Sequence, residues 1–308
     1  MAFHGTVRPG LIQLRVMDLD KTLKFYTDIL GLDEVGRTSD GRVMLKAYDE
    51  FDHHSVVLRK AERAGLDYIG FKVLTAADLE DIKVKTEKFG YIVGEIAANT
   101  EQPGFGKQYR FYLSTGHEVH VYSEVELAAD HPQITNPNIW NKPPRGMRAT
   151  RLDHFFLYGP NIMEAEQFMV EVLGMYVPEV CNTPDGKRLA SWITGNNKPH
   201  DIAFIEYPKP NTMHHVGFYL QTWDDVLNAA DLIAINNLKL DIGPTRHAIT
   251  RGLSIYFWEP SGNRIETYCG GYFAYPDSPQ RVWEAEQLGR GLFYFSGEML
   301  PSFLEIVT

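Results

Sequence analysis

The feature that most constrains this 308-residue chain is that it repeats itself. Residues 17–31 read MDLDKTLKFYTDILG and residues 161–174 read NIMEAEQFMVEVLG. Both carry apolar residues at helical spacing and both close on Leu-Gly, a helix stop. Setting Leu30-Gly31 on Leu173-Gly174 gives a step of 143 positions. A strand-like apolar stretch precedes each helix, at 10–16 and 151–158. Further on, DYIGFKV (67–73) resembles HHVGFYL (214–220), and STGHEVHVY (114–122) resembles SGNRIETY (261–268). Helix-like segments at 76–89 and 222–235 follow the second pair of strands. The order in each half is therefore strand, helix, strands, twice over. This predicts an α+β chain of four β-α-β-β-β modules, paired into an N-terminal domain (1–148) and a C-terminal domain (149–308) with curved mixed sheets. The length suits two domains of roughly 150 residues. A linker is predicted over 131–148, which holds Pro132, Pro137, Pro143 and Pro144. Residues 283–308 lie outside the repeat and are predicted to include a helix that packs back on the sheets.

Composition removes whole classes of function. Lys and Arg number 30 against 40 Asp and Glu, a net charge of −10 with no basic run, which argues against nucleic acid as a partner. No window approaches the roughly 18–20 apolar residues of a membrane span. Met1-Ala2-Phe3-His4 opens without a basic stretch followed by an apolar run, so no signal peptide is expected. Cys181 and Cys269 belong to no Cys-x-x-Cys pair. Reduced thiols, a cytoplasmic address and no thiolate zinc site are expected.

Duplication fixes architecture but supplies no chemistry; the chemistry lies where the halves differ. His154, His215 and Glu266 fall on strands of the second half, where the first half has Gln13, Tyr68 and His120. The steps between them are similar, 61 and 51 residues against 55 and 52. Equivalent strand positions point to equivalent places, here the concave face of a sheet. Any one of these side chains, met alone, is more often structural than functional. Two imidazoles and a carboxylate converging on one point form a facial triad, which suits non-haem Fe(II) and leaves adjacent coordination positions open. Mn(II) suits the same ligands. Such a site keeps a net charge of +1 and attracts an anionic, bidentate substrate. The first half, short of two ligands, is expected to bind no metal. His215 is preferred to His214 because strand alternation lets only one of two neighbours reach the metal, and His215 shares its face with the small Gly217.

From Thr245 the chain runs TRHAITRGLSIYFWEPSGNRIE, ending at Glu266. This segment resembles the signature of the extradiol ring-cleavage dioxygenases: His247, then Ile255-Tyr256, Glu259-Pro260, Gly262 and Glu266. RLDHFFLYGPN around His154, HDIAFIEYP from His200, MHHVGFYLQTWDDVL around His215 and DIGPTRH before His247 are similar to the catechol 2,3-dioxygenase (metapyrocatechase) family in particular. The likeness covers essentially the whole chain. It implies the vicinal oxygen chelate fold, one Fe(II) in the C-terminal domain, catechol and O2 as substrates, and a homotetramer.

Three more residues acquire roles through that resemblance. Extradiol cleavage puts both oxygen atoms into the product and takes its electrons from the ring, so the protein must chiefly orient reactants and move protons. Catechol binding releases one proton, and a proton must be returned after oxygen has added. His200 is implied as the acid/base, since an imidazole titrates near neutrality. His247 is implied to hydrogen-bond to substrate oxygen or to stabilise developing charge, and Tyr256 is implied as a phenol that orients the catecholate. Trp192, Ile249, Ile255 and Phe303 are candidate walls for a planar ring. His4, His53, His54, His117, His120 and His131 are given no catalytic role; His53 and His54 are expected in a surface loop. A glyoxalase-like isomerase, a thiol transferase and a ligand-sequestering protein like the bleomycin-resistance proteins would share the fold, but the full set of six residues disfavours them.

Overall fold

The computed structural model describes residues 6–140 and 142–308; the expectations for Met1 to His4 lie outside it. The modules follow in chain order. The first is β1 (Thr6–Val16), α1 (Leu19–Lys24) running into a π-helical stretch (Phe25–Leu30), β2 (Asp33–Arg37), β3 (Val43–Lys46) and β4 (Val56–Lys60). The second is β5 (Gly65–Val73), α2 (Ala76–Phe89), β6 (Gly94–Ile96), β7 (Gln108–Tyr112) and β8 (Glu118–Tyr122). The third is β9 (Arg151–Gly159), α3 (Ile162–Glu171), β10 (Tyr176–Asn182), β11 (Arg188–Thr194) and β12 (Ile202–Glu206). The fourth is β13 (Thr212–Tyr219), α4 (Trp223–Ile235), β14 (Lys239–Arg246), β15 (Gly252–Trp258) and β16 (Arg264–Gly270). Outside the repeat come β17 (Arg281–Glu284), α5 (Leu288–Leu292) and α6 (Pro301–Glu305). Residues 131–148 carry no helix or strand among the described residues.

The first two modules form one eight-stranded sheet, β2-β3-β4-β1-β5-β8-β7-β6; the last two form a nine-stranded sheet, β14-β15-β16-β13-β9-β12-β11-β10-β17. In every module the first strand runs parallel to the last, as β1 with β4 and β13 with β16. The two modules of a sheet join through antiparallel first strands, β1 with β5 and β9 with β13. This is the paired four-module arrangement expected from the repeat, and it is the vicinal oxygen chelate fold that the resemblance implies.

Local chemistry explains why the helices begin where they do. Thr75 and Thr222 each accept a hydrogen bond from the backbone N–H three residues on, while Asp78 and Asp225 close the reciprocal bond. Such caps are worth about 1 kcal/mol each. The apolar helix faces meet in one layer shared by both sheets. Phe25 of the first module packs edge-on against Phe257 of the fourth at 6.0 Å, and Phe168 of α3 lies 4.9 Å from Phe111 of β7. Burying each of these rings contributes about 2 kcal/mol. With one face of each sheet committed to this layer, the other face is free to hold a site.

Two irregularities position that site. Along β9 and β13, His215 pairs with Phe156 but the next pair is Met213 with Leu157, so residue 214 is extra on β13. Gly217 pairs with His154 but Phe218 with Leu152, so residue 153 is extra on β9. A bulge of this kind breaks alternation and turns neighbouring side chains to one side. The alternation argument that separated His214 from His215 therefore fails locally. His214 lies among Phe156, Tyr158 and Phe303 on the concave face, not with Val216 and Phe218 against the helices.

The same registers correct the match between halves. Leu11 pairs with Gly70 as His154 pairs with Gly217, and Gln13 pairs with Tyr68 as Phe156 pairs with His215. The counterpart of His154 is thus Leu11 rather than Gln13. Gly70 opposite His120 and Gly217 opposite Glu266 preserve the other two matches.

Candidate metal centre

His154 (β9), His215 (β13) and Glu266 (β16) stand on three adjacent strands, all buried. Their ligand atoms lie within 4.8 Å of one another, forming the metal-capable group found among the described residues. The Glu266 Oε2 oxygen is 2.8 Å from Nε2 of His154 and 3.1 Å from Nε2 of His215. The two imidazole Nε2 atoms are 3.2 Å apart. Gly217 makes the convergence possible: a Cβ there would overlap the His154 imidazole.

The donor set fits a divalent cation. Burial alone would push the Glu266 carboxyl up, but hydrogen bonds with His154, His215 and His247 hold it well below the usual carboxylate range. It is therefore an anion in the interior, a state that needs compensating positive charge. Both histidines have their far nitrogens engaged, as ligating imidazoles do. Nδ1 of His154 donates to Asp153 Oδ2 at 3.1 Å, and Nδ1 of His215 lies 2.6 Å from Nδ1 of His214. Asp153 is itself clamped. Its carboxylate receives the Lys198 ammonium at 3.0 Å, the Arg151 guanidinium at 2.9 Å and the Tyr268 hydroxyl. Burial opposes the charge on Asp153, yet Lys198, His154 and Arg151 keep its carboxyl well below the ordinary range.

His200, His247 and Tyr256 line the same cavity as the three presumptive ligands, together with Phe156, Trp192, Ile249, Thr250, Tyr268, Leu292 and Phe303. The His200 ring stacks obliquely over His154 at 4.2 Å. Its Nδ1 is buried without a hydrogen-bond partner. Burial, with the nearby charges of His154 and Lys198, drives its basicity well below that of an ordinary imidazole. His247 gives its Nδ1–H to the Leu292 carbonyl, and its Nε2 lies 2.8 Å from the Tyr256 hydroxyl, 2.9 Å from Ser254 Oγ and 3.8 Å from Glu266 Oε1. Tyr256 pairs directly across the hairpin with Glu266, and burial beside that carboxylate pushes its phenol well up.

Several expectations need correcting. Ile255 is not a cavity wall; it faces the helical layer with Phe257 and Ile265. Gly243-Pro244, shortly before His247, lies within β14, in the irregular stretch between the pairs Ile242–Tyr256 and Thr245–Ser254. His54 is fully buried rather than in a surface loop, with Nε2 on Gln102 Oε1 at 2.9 Å. Phe156, Asp153, Lys198 and Tyr268 were not picked out as parts of the site by sequence. The adjacent pairs Asp153-His154 and His214-His215 were visible, but not the bulges that bring each neighbour onto its ligand.

The C-terminal segment does pack back on the sheets. β17 extends the second sheet beside β10, and Leu288, Leu292, Phe293 and Phe303 join the apolar cluster that holds Trp192 and Tyr256. No helix among the described residues is long and apolar enough to cross a membrane.

Comparison with known proteins agrees with this geometry. Residues 151–267 match the Glyoxalase/Bleomycin resistance protein/Dioxygenase superfamily, and residues 66–126 match the catechol 2,3-dioxygenase-like N-terminal domain. The chain is 42% identical over 305 residues to a metapyrocatechase of Pseudomonas sp. (strain CF600), covering 99% of each. It is 31% identical to a manganese-dependent 2,3-dihydroxybiphenyl 1,2-dioxygenase of Geobacillus genomosp. 3, over 95% of this chain and 94% of that one. The crystal structure of the 2,3-dioxygenase LapB of Pseudomonas sp. KL28 matches with a TM-score of 0.89 at 42% identity, covering 92% of this chain and 99% of that one. Likeness over the full length, carried on four modules that gather two imidazoles and a carboxylate, settles the class: the chain belongs to the metapyrocatechase (catechol 2,3-dioxygenase) family of extradiol dioxygenases and is a ring-cleaving oxidoreductase.

Proposed function

We propose that the chain is an Fe(II)-dependent dioxygenase that cleaves catechol or methylcatechols with O2 to 2-hydroxymuconate semialdehydes. His154, His215 and Glu266 hold the metal, and His200, His247 and Tyr256 serve the substrate. The convergence of these six side chains on one cavity carries the reading. When bound, the ferrous ion holds catecholate and O2 side by side and stabilises the charge that passes between them.

The remaining work falls to the protein. Phe156, Trp192, Ile249 and Phe303 enclose a planar ring and exclude water. His200, neutral and with a free Nδ1, takes a proton and returns it on the oxygen side of the cavity. His247 is held by the Leu292 carbonyl, so its Nε2 and the Tyr256 hydroxyl form a fixed pair that orients the catechol oxygens. The ring supplies all the electrons and both oxygen atoms enter the product, so no outside reductant is needed. The domains divide at 148/149, the first is metal-free, and the enzyme works as a cytoplasmic homotetramer.

A manganese enzyme is the second reading, favoured by the 31% identical manganese-dependent relative. One experiment separates the two. Metal-free protein is loaded anaerobically with Fe(II) or Mn(II), given catechol, then exposed to air. A yellow semialdehyde with Fe(II), formed with one O2 per catechol, is expected; colour with Mn(II) alone moves the assignment, and no ring cleavage with either ends it. In the same assay His200→Ala should keep metal and bind catechol, while turnover falls about 10²–10⁴-fold.

A further inference from the structure

We propose that His214 is a positioning residue of the metal centre. It fixes His215 in the tautomer whose Nε2 is free to bind metal, and a backbone carbonyl of the C-terminal segment sets His214 in turn. The inference rests on reading His154, His215 and Glu266 as metal ligands.

His215, His214 and the Phe303 carbonyl form a chain of three contacting groups. The bulge at residue 214 puts the rings of His214 and His215 side by side on the concave face. Their Nδ1 atoms are 2.6 Å apart. Two nitrogens at that distance share one proton: two protons would collide, and none would set lone pair against lone pair. The direction of sharing is decided at the far end. His214 Nε2 lies 2.6 Å from the Phe303 carbonyl oxygen. A carbonyl only accepts, so the Nε2 of His214 carries the hydrogen. His214 contacts no carboxylate, and the Arg264 guanidinium approaches its backbone oxygen at 3.5 Å, so a positive charge on the ring is disfavoured. A neutral imidazole has one N–H. Nδ1 of His214 is therefore the acceptor, and the shared proton belongs to Nδ1 of His215. The lone pair on His215 Nε2 is then available to a cation seated beside Glu266 Oε2, which lies 3.1 Å from that nitrogen.

The segment that supplies the carbonyl is locked to the ligand strands. Thr308 exchanges two backbone hydrogen bonds with Met213, at 2.7 and 3.0 Å, next to the bulge itself. Arg264, two residues before Glu266 on β16, donates to the Ile306 carbonyl at 2.9 Å. The Phe303 ring packs on both His214 and Tyr256. A piece of chain outside the four-module repeat thus sets a ligand inside it.

The test reads ring protons and metal affinity on the full-length chain. Long-range proton–nitrogen NMR of the histidine rings in Zn(II)-loaded protein should show His214 protonated on Nε2 and His215 on Nδ1. Titration with Co(II) then compares the unmodified chain with two variants. His214→Phe keeps the ring packing but offers no acceptor; it should mix the His215 tautomers and weaken Co(II) binding about 10–100-fold. His214→Asn restores an acceptor oxygen and should recover most of that loss. The relay is overturned by a His215 proton on Nε2 in the unmodified chain. It is equally overturned by His214→Phe binding Co(II) as tightly as the unmodified chain, or by a folded His214→Asn binding no better than His214→Phe. Should His214→Phe fail to fold, the NMR assignment of the unmodified chain decides. The two readings fail separately: His214→Phe binding Co(II) as tightly as the unmodified chain overturns the relay alone, and an unmodified chain that binds no Co(II) overturns the metal centre.

Discussion

The two halves of this molecule present the same scaffold with opposite content. Both first-strand pairs carry bulges at matching places, with Gly10 and Asp67 extra in the first half and Asp153 and His214 in the second; the first half has a further irregularity between Thr6 and Arg8. Leu11, Tyr68 and His120 stand where the second half has His154, His215 and Glu266. In the first half Leu11 and Tyr68 join a small apolar cluster with Met44, Val57, Phe105 and Tyr122. His120 has both ring nitrogens occupied, by Glu118 at 2.8 Å and Gln108 at 3.3 Å, and Tyr68 stacks flat on it at 3.9 Å. The Tyr68 hydroxyl, Gln13, Arg42, Glu101 and Gln102 bond to one another. One concave face is filled by side chains that bond and pack among themselves, and the other gathers buried nitrogen and oxygen atoms around a common point. The bulges belong to the scaffold; the chemistry comes from which side chains they present.

The comparison breaks most sharply at the ligands. His215→Ala should lower bound metal from about one ion per chain to near zero, with catechol cleavage lost alongside, because each ligand of a three-ligand site is indispensable. His120→Ala, its positional counterpart to Glu266, should leave metal content unchanged. Elemental analysis of both purified variants checks this. Stoichiometric iron in His215→Ala, or lost iron in a folded His120→Ala, would reverse the roles assigned to the halves.

The modular plan was legible because helix periodicity and Leu-Gly stops survive duplication. The convergence of His154, His215 and Glu266 was legible because three chemically matched residues stand at strand positions already aligned by the repeat. What escaped shares one physical cause. A bulge shifts register by a residue without any mark in the apolar pattern, since the flanking residues keep their own faces. That is why Gln13 stood in for Leu11, why His214 was sent to the wrong face, and why Asp153 went unnoticed beside His154. His54 was misread for another reason: its burial depends on Gln102 and Phe105, roughly fifty residues away in sequence. No local pattern carries that information. The nearness of Tyr256 to Glu266 could be read from the signature because both lie in one hairpin, where sequence spacing is spatial pairing.

A subtler contrast lies at the paired glycines. A Cβ at Gly217 would strike the His154 imidazole, whereas one at Gly70 would lie 2.8 Å from Leu11 Cβ and 3.1 Å from Tyr122. Overpacking of this kind costs about 1–3 kcal/mol in either place. The two costs should appear in different measurements. Gly217→Ala should lower metal affinity by about an order of magnitude or more, as displaced ligands do, while Gly70→Ala should lower only the melting temperature, by a few degrees. Equal loss of metal from both variants would mean that the concave faces communicate through the shared helical layer rather than acting separately.

The smallest expected effect sharpens the comparison furthest. Tyr268 and Tyr122 occupy matching places, two residues beyond Glu266 and His120 on their strands. The Tyr268 hydroxyl donates to Asp153, which holds His154. Tyr122 meets Gly10 instead, where even a Cβ would overlap its hydroxyl, and that hydroxyl is buried with no partner. Leaving a hydroxyl unpaired costs about 1–3 kcal/mol, and removing it refunds part of that. Tyr122→Phe should therefore melt at the same temperature or a few degrees higher, with metal binding unaltered. Tyr268→Phe should lose stability and loosen the metal, by up to about tenfold because the effect must pass through Asp153. Arg151 and Lys198 still hold the Asp153 carboxylate, so the ligand shifts rather than detaches. Calorimetry beside Co(II) titration of the two variants checks the pair. If Tyr122→Phe proved the more damaging, the first half would be holding its tyrosine for a purpose of its own, and the contrast between a filled face and a working one would fail.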